Sequence, residues 1–147
     1  MEIDWSALVA LLALGVSLWT LRRDAESRHL SHIARKTAVQ SALFSQWCHL
    51  GDASLRCQSI IDDVELPIAK RLEACAKRLD ESSARLQELM EKLKSIDTDK
   101  RPSYRTRVWW EEMYGSCHLM LEQSRDLLKT VDDLIEEVER TAKRTPS

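Results

Sequence analysis

From Trp5 to Leu21 the chain carries no charge and no proline, and apolar side chains cover every face of a helix drawn through the run. Seventeen residues at about 1.5 Å each reach the short end of what crosses a ~30 Å hydrocarbon core. Trp5 and Trp19 sit at the two ends, where an aromatic belt places them, with Asp4 before the run and Arg22 and Arg23 after it. The pattern predicts a transmembrane anchor over residues 1–21. A cleaved signal peptide would want a basic start. This chain opens Met-Glu-Ile-Asp, and no small-x-small site precedes the arginines. A buried core helix is the competing reading of so short a run.

Val16 to Leu50 contains no Gly and no Pro, so the anchor can run straight on into a polar helix. Its apolar positions, Leu30, Ile33, Ala34, Ala38, Phe44 and Trp47, form a loose stripe. Gly51-Asp52 is the first expected break, with Asp52 capping a helix that holds Leu55, Ile60 and Ile61, and Pro67 breaking or kinking that one. The sharpest signal starts at Ile68. Ile68, Leu72, Cys75, Leu79, Ser82, Leu86, Leu89, Leu93 and Ile96 are spaced four-three-four-three, a heptad seam with one polar interruption. Asp97 to Ser103 reads as a turn. In the last helix Trp110, Cys117, Ser124, Val131 and Val138 recur every seven residues. Met113, Met120, Leu127 and Leu134 follow by three; Tyr114, Leu121, Leu128 and Ile135 by four. That face is wide enough to pack on two neighbours. Residues 143–147 are expected to fray. The fold predicted is all-α: an N-terminal transmembrane helix continuing into an antiparallel, coiled-coil-like bundle of three to four helices over residues 22–142.

Charge orients the last two helices. Lys70, Arg71, Lys77 and Arg78 open the heptad helix, and Asp132, Asp133, Glu136, Glu137 and Glu139 close the last one. Acid at a helix C-terminus opposes the macrodipole, so these groups are read as answering a partner, with Lys70 and Arg71 beside Asp132 and Asp133. Across the anchor, basic residues appear only after it: Arg22, Arg23, Arg28, Arg35 and Lys36. The positive-inside rule then puts the N-terminus outside and the body in the cytoplasm. Cys48, Cys57, Cys75 and Cys117 form no CxxC pair, which suits a reducing compartment.

Composition narrows the functions. With three Gly and three Pro in 147 residues, the chain lacks the turn-formers of a β or α/β domain. A formal net charge of -2 provides no basic field to collect nucleic acid. No Gly-rich phosphate loop, GxSxG, HExxH or EF-hand loop occurs, so no catalytic residue and no cofactor is assigned. His29 and His32 share a helix face but lack a third ligand, so they read as surface residues; adjacent Cys-His pairs point about 100° apart. Cys75 and Cys117 fall on seam positions and read as apolar filler. The segment KRPSYRTRVWW, Lys100 to Trp110, mixes base and aromatic. Arg101, Tyr104, Arg105, Arg107 and Trp109 are its candidate contacts with an anionic membrane surface, an alternative to nucleic acid or to plain core and solvent roles.

The stretch ALLALGVSLWTLRRDAESRHLSHIARKT, Ala10 to Thr37, resembles the start of uncharacterised bacterial single-pass, membrane-anchored helical proteins. They share an apolar segment ending in Val-Ser-Leu-aromatic, then a polar helix with Ala and Arg. The resemblance implies a bacterial inner-membrane protein and brings no site residues. The function expected is a membrane-tethered interaction or scaffold module, not an enzyme, whose partners are the bilayer and a protein or a second copy met through helical faces. The alternative is a membrane-active effector or phage-lysis accessory, since phage spanins are similar in layout alone.

Overall fold

The computed structural model describes residues 5–96 and 103–144, without the side chains of residues 5–11, 104 and 142–144. Three helices are present: α1, Trp5–Ile61; α2, Leu66–Lys94; and α3, Tyr104–Arg144. The chain divides into two units, Met1–Thr37 and Ala38–Ser147, with the boundary inside α1.

The helix ends follow local chemistry. After α1 a short turn carries the bond from Asp63 N–H to the Ile60 carbonyl, 3.1 Å. The Glu65 carbonyl then accepts from the N–H groups of Ile68 and Ala69, both at 2.9 Å, and opens α2. Pro67 lies in this first turn, where its missing N–H costs nothing and its fixed φ suits a helix. Pro67 therefore starts a helix and does not kink one. Ser95 closes α2 with its N–H on Glu91 O and its hydroxyl on Lys92 O. Ser103 caps α3: its hydroxyl accepts from Thr106 N–H at 3.3 Å and its carbonyl from Arg107 N–H at 3.0 Å. Of the expected turn at 97–103, residues 97–102 lie outside the described residues, as does most of the tail at 143–147.

The expected break at Gly51-Asp52 is absent. α1 passes through Gly51 and ends ten residues later. One helix-interior glycine costs only about 1 kcal/mol, which the packing on either side outweighs. That packing is a third heptad seam: Val39, Leu43, Gln46, Leu50, Ala53 and Cys57 are buried at four-three-four-three-four spacing, with Ile60 packed against them. It corrects the looser stripe read from the sequence, since Phe44 and Ala38 are exposed and Trp47 is only half-buried.

In α2, Leu72, Leu79, Leu86 and Leu93 are fully buried, one every seven residues. Between them the seam widens. Ala76 is buried while Cys75 is half-buried; Ser82 and Ser83 are both half-buried, as are Leu89 and Met90. Ile68 is half-buried at the start, and Ile96 is buried just beyond the helix. A helix that faces two neighbours needs this broader face. α3 buries Trp110, Met113, Tyr114, Cys117, Met120, Leu121, Ser124, Val131, Leu134, Ile135 and Val138, with Leu127 and Leu128 half-buried. Each fully buried leucine or isoleucine contributes about 1.5–3 kcal/mol relative to exposure.

α2 and α3 run antiparallel. Arg71 meets Glu137 at 3.7 Å, Cys75 shares a groove with Leu134, and Leu89 shares one with Met120. The expected partner for Arg71 was one turn earlier. Asp132 instead takes Arg56 of α1, Nη1 to Oδ1 at 3.1 Å. Ser54 of α1, itself buried, donates to Asp80 of α2 at 2.9 Å. Ser54 against Asp80 and Cys57 against Cys75 set α1 antiparallel to α2, and therefore parallel to α3. The ion pairs are solvent-exposed and worth about 0.2–1 kcal/mol each, so they select register while the seams supply stability.

A Cβ placed on Gly51 would meet nothing within 4 Å. Gly51→Ala in the isolated bundle should therefore raise stability by about 0.5–1 kcal/mol, measured by urea denaturation. A loss of stability would mean that the backbone at Gly51 is not helical.

Candidate functional site

The described part of the apolar run is exposed on every side. Leu12, Leu14, Val16, Leu18, Trp19 and Leu21 are all about 60% exposed, the lowest of them at 59% and the highest at 66%. Its polar groups turn inward. Ser17 donates to Ala13 O at 2.8 Å, and Thr20 reaches the carbonyls of Val16 and Ser17 at 3.1 and 2.9 Å. Past the run, the Arg23 guanidinium lies 5.5 Å from the Trp19 ring centroid and Arg22 pairs with Glu26 at 3.2 Å. Among the described residues no helix is long and apolar enough to cross a membrane. The first half of the predicted span, with Trp5, falls on side chains outside the described residues.

The basic-aromatic segment separates into two roles. Arg105, Arg107, Val108 and Trp109 are exposed, Trp109 at 41%, whereas Trp110 is buried in the core beside Met113 and Tyr114. Arg101 and the side chain of Tyr104 lie outside the described residues. The exposed four stand at the end of the bundle where α2 finishes and α3 begins.

Among the described residues no group of three His, Cys, Asp or Glu is placed to hold a metal ion. All four cysteines are free. Cys57 and Cys117 are fully buried, and Cys48 and Cys75 are half-buried, so Cys57 of α1 takes the shielded position expected of Cys75. Burial pushes the Cys57 thiol up, helped by the neighbouring Cys75 and by Asp132 and opposed by Arg56. Burial alone pushes Cys117 up. Neither is a ready nucleophile. A groove of about 520 Å³ between α2 and α3 is lined by Arg78, Glu81, Ser82, Arg85, Gln123 and Asp126 among others. Its charges are of both signs and no buried ionisable group faces it, so it offers no catalytic constellation. Comparison with protein-family models, curated proteins and solved structures returns no match.

One surface was not legible as a site from the sequence pattern: the outward face of α1 within the bundle. Between Ala38 and Leu55 only Asp52 is charged, one residue in eighteen, against twelve of twenty-nine in α2. Phe44 and Leu55 stand on that face, exposed at 57% and 66%. The signal was an absence of charge, which apolar spacing does not reveal.

Two outcomes follow from the thiols. A maleimide should label native Cys48 and Cys75 and leave Cys57 and Cys117 unlabelled until the protein is unfolded; native labelling of Cys117 would contradict its burial. Because both buried thiols ionise at higher pH in the folded state, their contribution to stability is full below the ordinary value of 9.0 and is lost as pH rises through it. Urea midpoints should fall as pH rises above 9.0, and Cys117→Ala should flatten that fall.

Proposed function

We propose that the chain is a membrane-tethered helical interaction module, held at a bacterial inner membrane by its N-terminal helix, with the bundle on the cytoplasmic side. The observation that carries this reading is the exposure of every large apolar side chain from Leu12 to Leu21 on an uncharged helix. Water would penalise each of them by about 1.5–3 kcal/mol relative to an apolar environment, and lipid would not. The hydroxyls of Ser17 and Thr20, bonded back to helix carbonyls, need no water there. Trp19 with Arg23 stacked on it, and Arg22 beside it, supply the aromatic and basic residues of a cytoplasmic interface.

The first turns of α3 carry exposed Arg105, Arg107 and Trp109. Their chemistry suits a second, weaker contact with anionic head groups, at about 1 kcal/mol per arginine. Nothing in the grooves or thiols supports an enzyme, and the heptad seams are consumed by the bundle, so interaction falls to the remaining exposed surfaces.

Fractionation tests the tether. The full chain should pellet with membranes and resist high salt, while a variant lacking residues 1–21 should be released, with circular dichroism still strongly helical. Salt extraction of the full chain, or tight pelleting of the truncated one, would overturn the single-anchor reading.

A further inference from the structure

We propose that two copies of the chain pair in parallel through the outward face of α1, with Phe44, Cys48, Gly51 and Leu55 at the contact. These four are spaced four-three-four, a second seam on α1 roughly opposite the one that faces the bundle core. Ser41, Ser45 and Ala38 flank them and are exposed and uncharged. Phe44 is held in place from behind: its ring lies 6.0 Å from that of Trp47, tilted by 31°, and Trp47 packs against the core. A positioned, exposed aromatic is the usual anchor of a helical interface. Gly51 serves no close approach inside the bundle, since space around it is open, yet it sits on this seam and would let a second backbone come near.

Charge selects the occupant. In a parallel two-fold pair each residue faces its own copy, so any charge on the contact line meets itself and is repelled. α2 and α3 are crowded with charge, sixteen of forty-one residues in α3. The α1 face, with Asp52 alone and at its margin, can meet a copy of itself without that repulsion and without desolvating ions. The parallel sense rests on the tether proposed above, which starts every copy of α1 from the same surface. The strip is short, about 27 Å for eighteen residues, well under the ~800 Å² per partner of a free-standing interface. Pairing therefore depends on the high local concentration that a shared membrane provides.

Cys48 supplies the probe. Purified full chain is reconstituted into phosphatidylcholine–phosphatidylglycerol vesicles and treated with a short bismaleimide. The expected product is a covalent dimer that Cys48→Ser abolishes and Cys75→Ser leaves intact. Phe44→Glu, at an exposed position, should keep the thermal melt of the bundle and cut the dimer yield about tenfold, the effect of roughly 1.4 kcal/mol. A dimer that survives Cys48→Ser, or one unaffected by Phe44→Glu, overturns the pairing face. Vesicle-bound protein without any dimer overturns pairing and leaves the tether standing. Protein that dimerises through Cys48 without associating with vesicles overturns the tether and, with it, the membrane-dependent parallel pair.

Discussion

Leu72, Leu79, Leu86 and Leu93 are the contact on which the bundle depends. They lie on α2, the middle helix of the chain, and are wholly shielded by neighbours that α2 cannot supply itself. In a folded protein most of a helix's stability comes from such packing. Their seven-residue repeat keeps one line of α2 directed inward along its whole length. The wider steps between them, at Cys75–Ala76, Ser82–Ser83 and Leu89–Met90, give α2 a face broad enough for both α1 and α3.

Once those leucines are covered, the remaining features take their places. α3 must return antiparallel, so Arg71 reaches Glu137. α1 must lie antiparallel to α2, so Ser54 reaches Asp80 and Arg56 reaches Asp132. Cys57 and Cys117 become core filler, and burial raises the pKa of both thiols. The same closure leaves two kinds of surface outside the core. One is the charged outer faces of α2 and α3, which water covers at no cost. The other is uncharged: the run from Leu12 to Leu21, and the outer side of α1 between Ala38 and Leu55.

The polar core residues fit this view. Ser124 is completely buried and satisfied by the Leu121 carbonyl at 3.0 Å. Gln46, buried on the α1 seam, leaves its Nε2 without a hydrogen-bond partner, a cost of about 1–3 kcal/mol.

The sequence by itself determined the all-helical class, the extent of the last helix face, the antiparallel sense of α2 and α3, and the apolar character of the N-terminal run. Each of these rests on local periodicity, on turn chemistry or on long uninterrupted stretches, and none needs a partner to be recognised. Only the tertiary structure decided the course of α1. Its seam is built from Val, Leu, Gln, Leu, Ala and Cys, and a polar or small residue reads as buried only when a neighbouring helix covers it. Gly51 looks like a break until packing on both sides holds the helix through it. Phe44 looks like core until the opposite face is seen to be filled. Whether Cys57 or Cys75 is shielded, and whether Asp132 answers Arg71 or Arg56, likewise depended on the rotation of one helix against another. A rotation of that kind places neighbouring residues about 100° apart, and no single helix's pattern contains it.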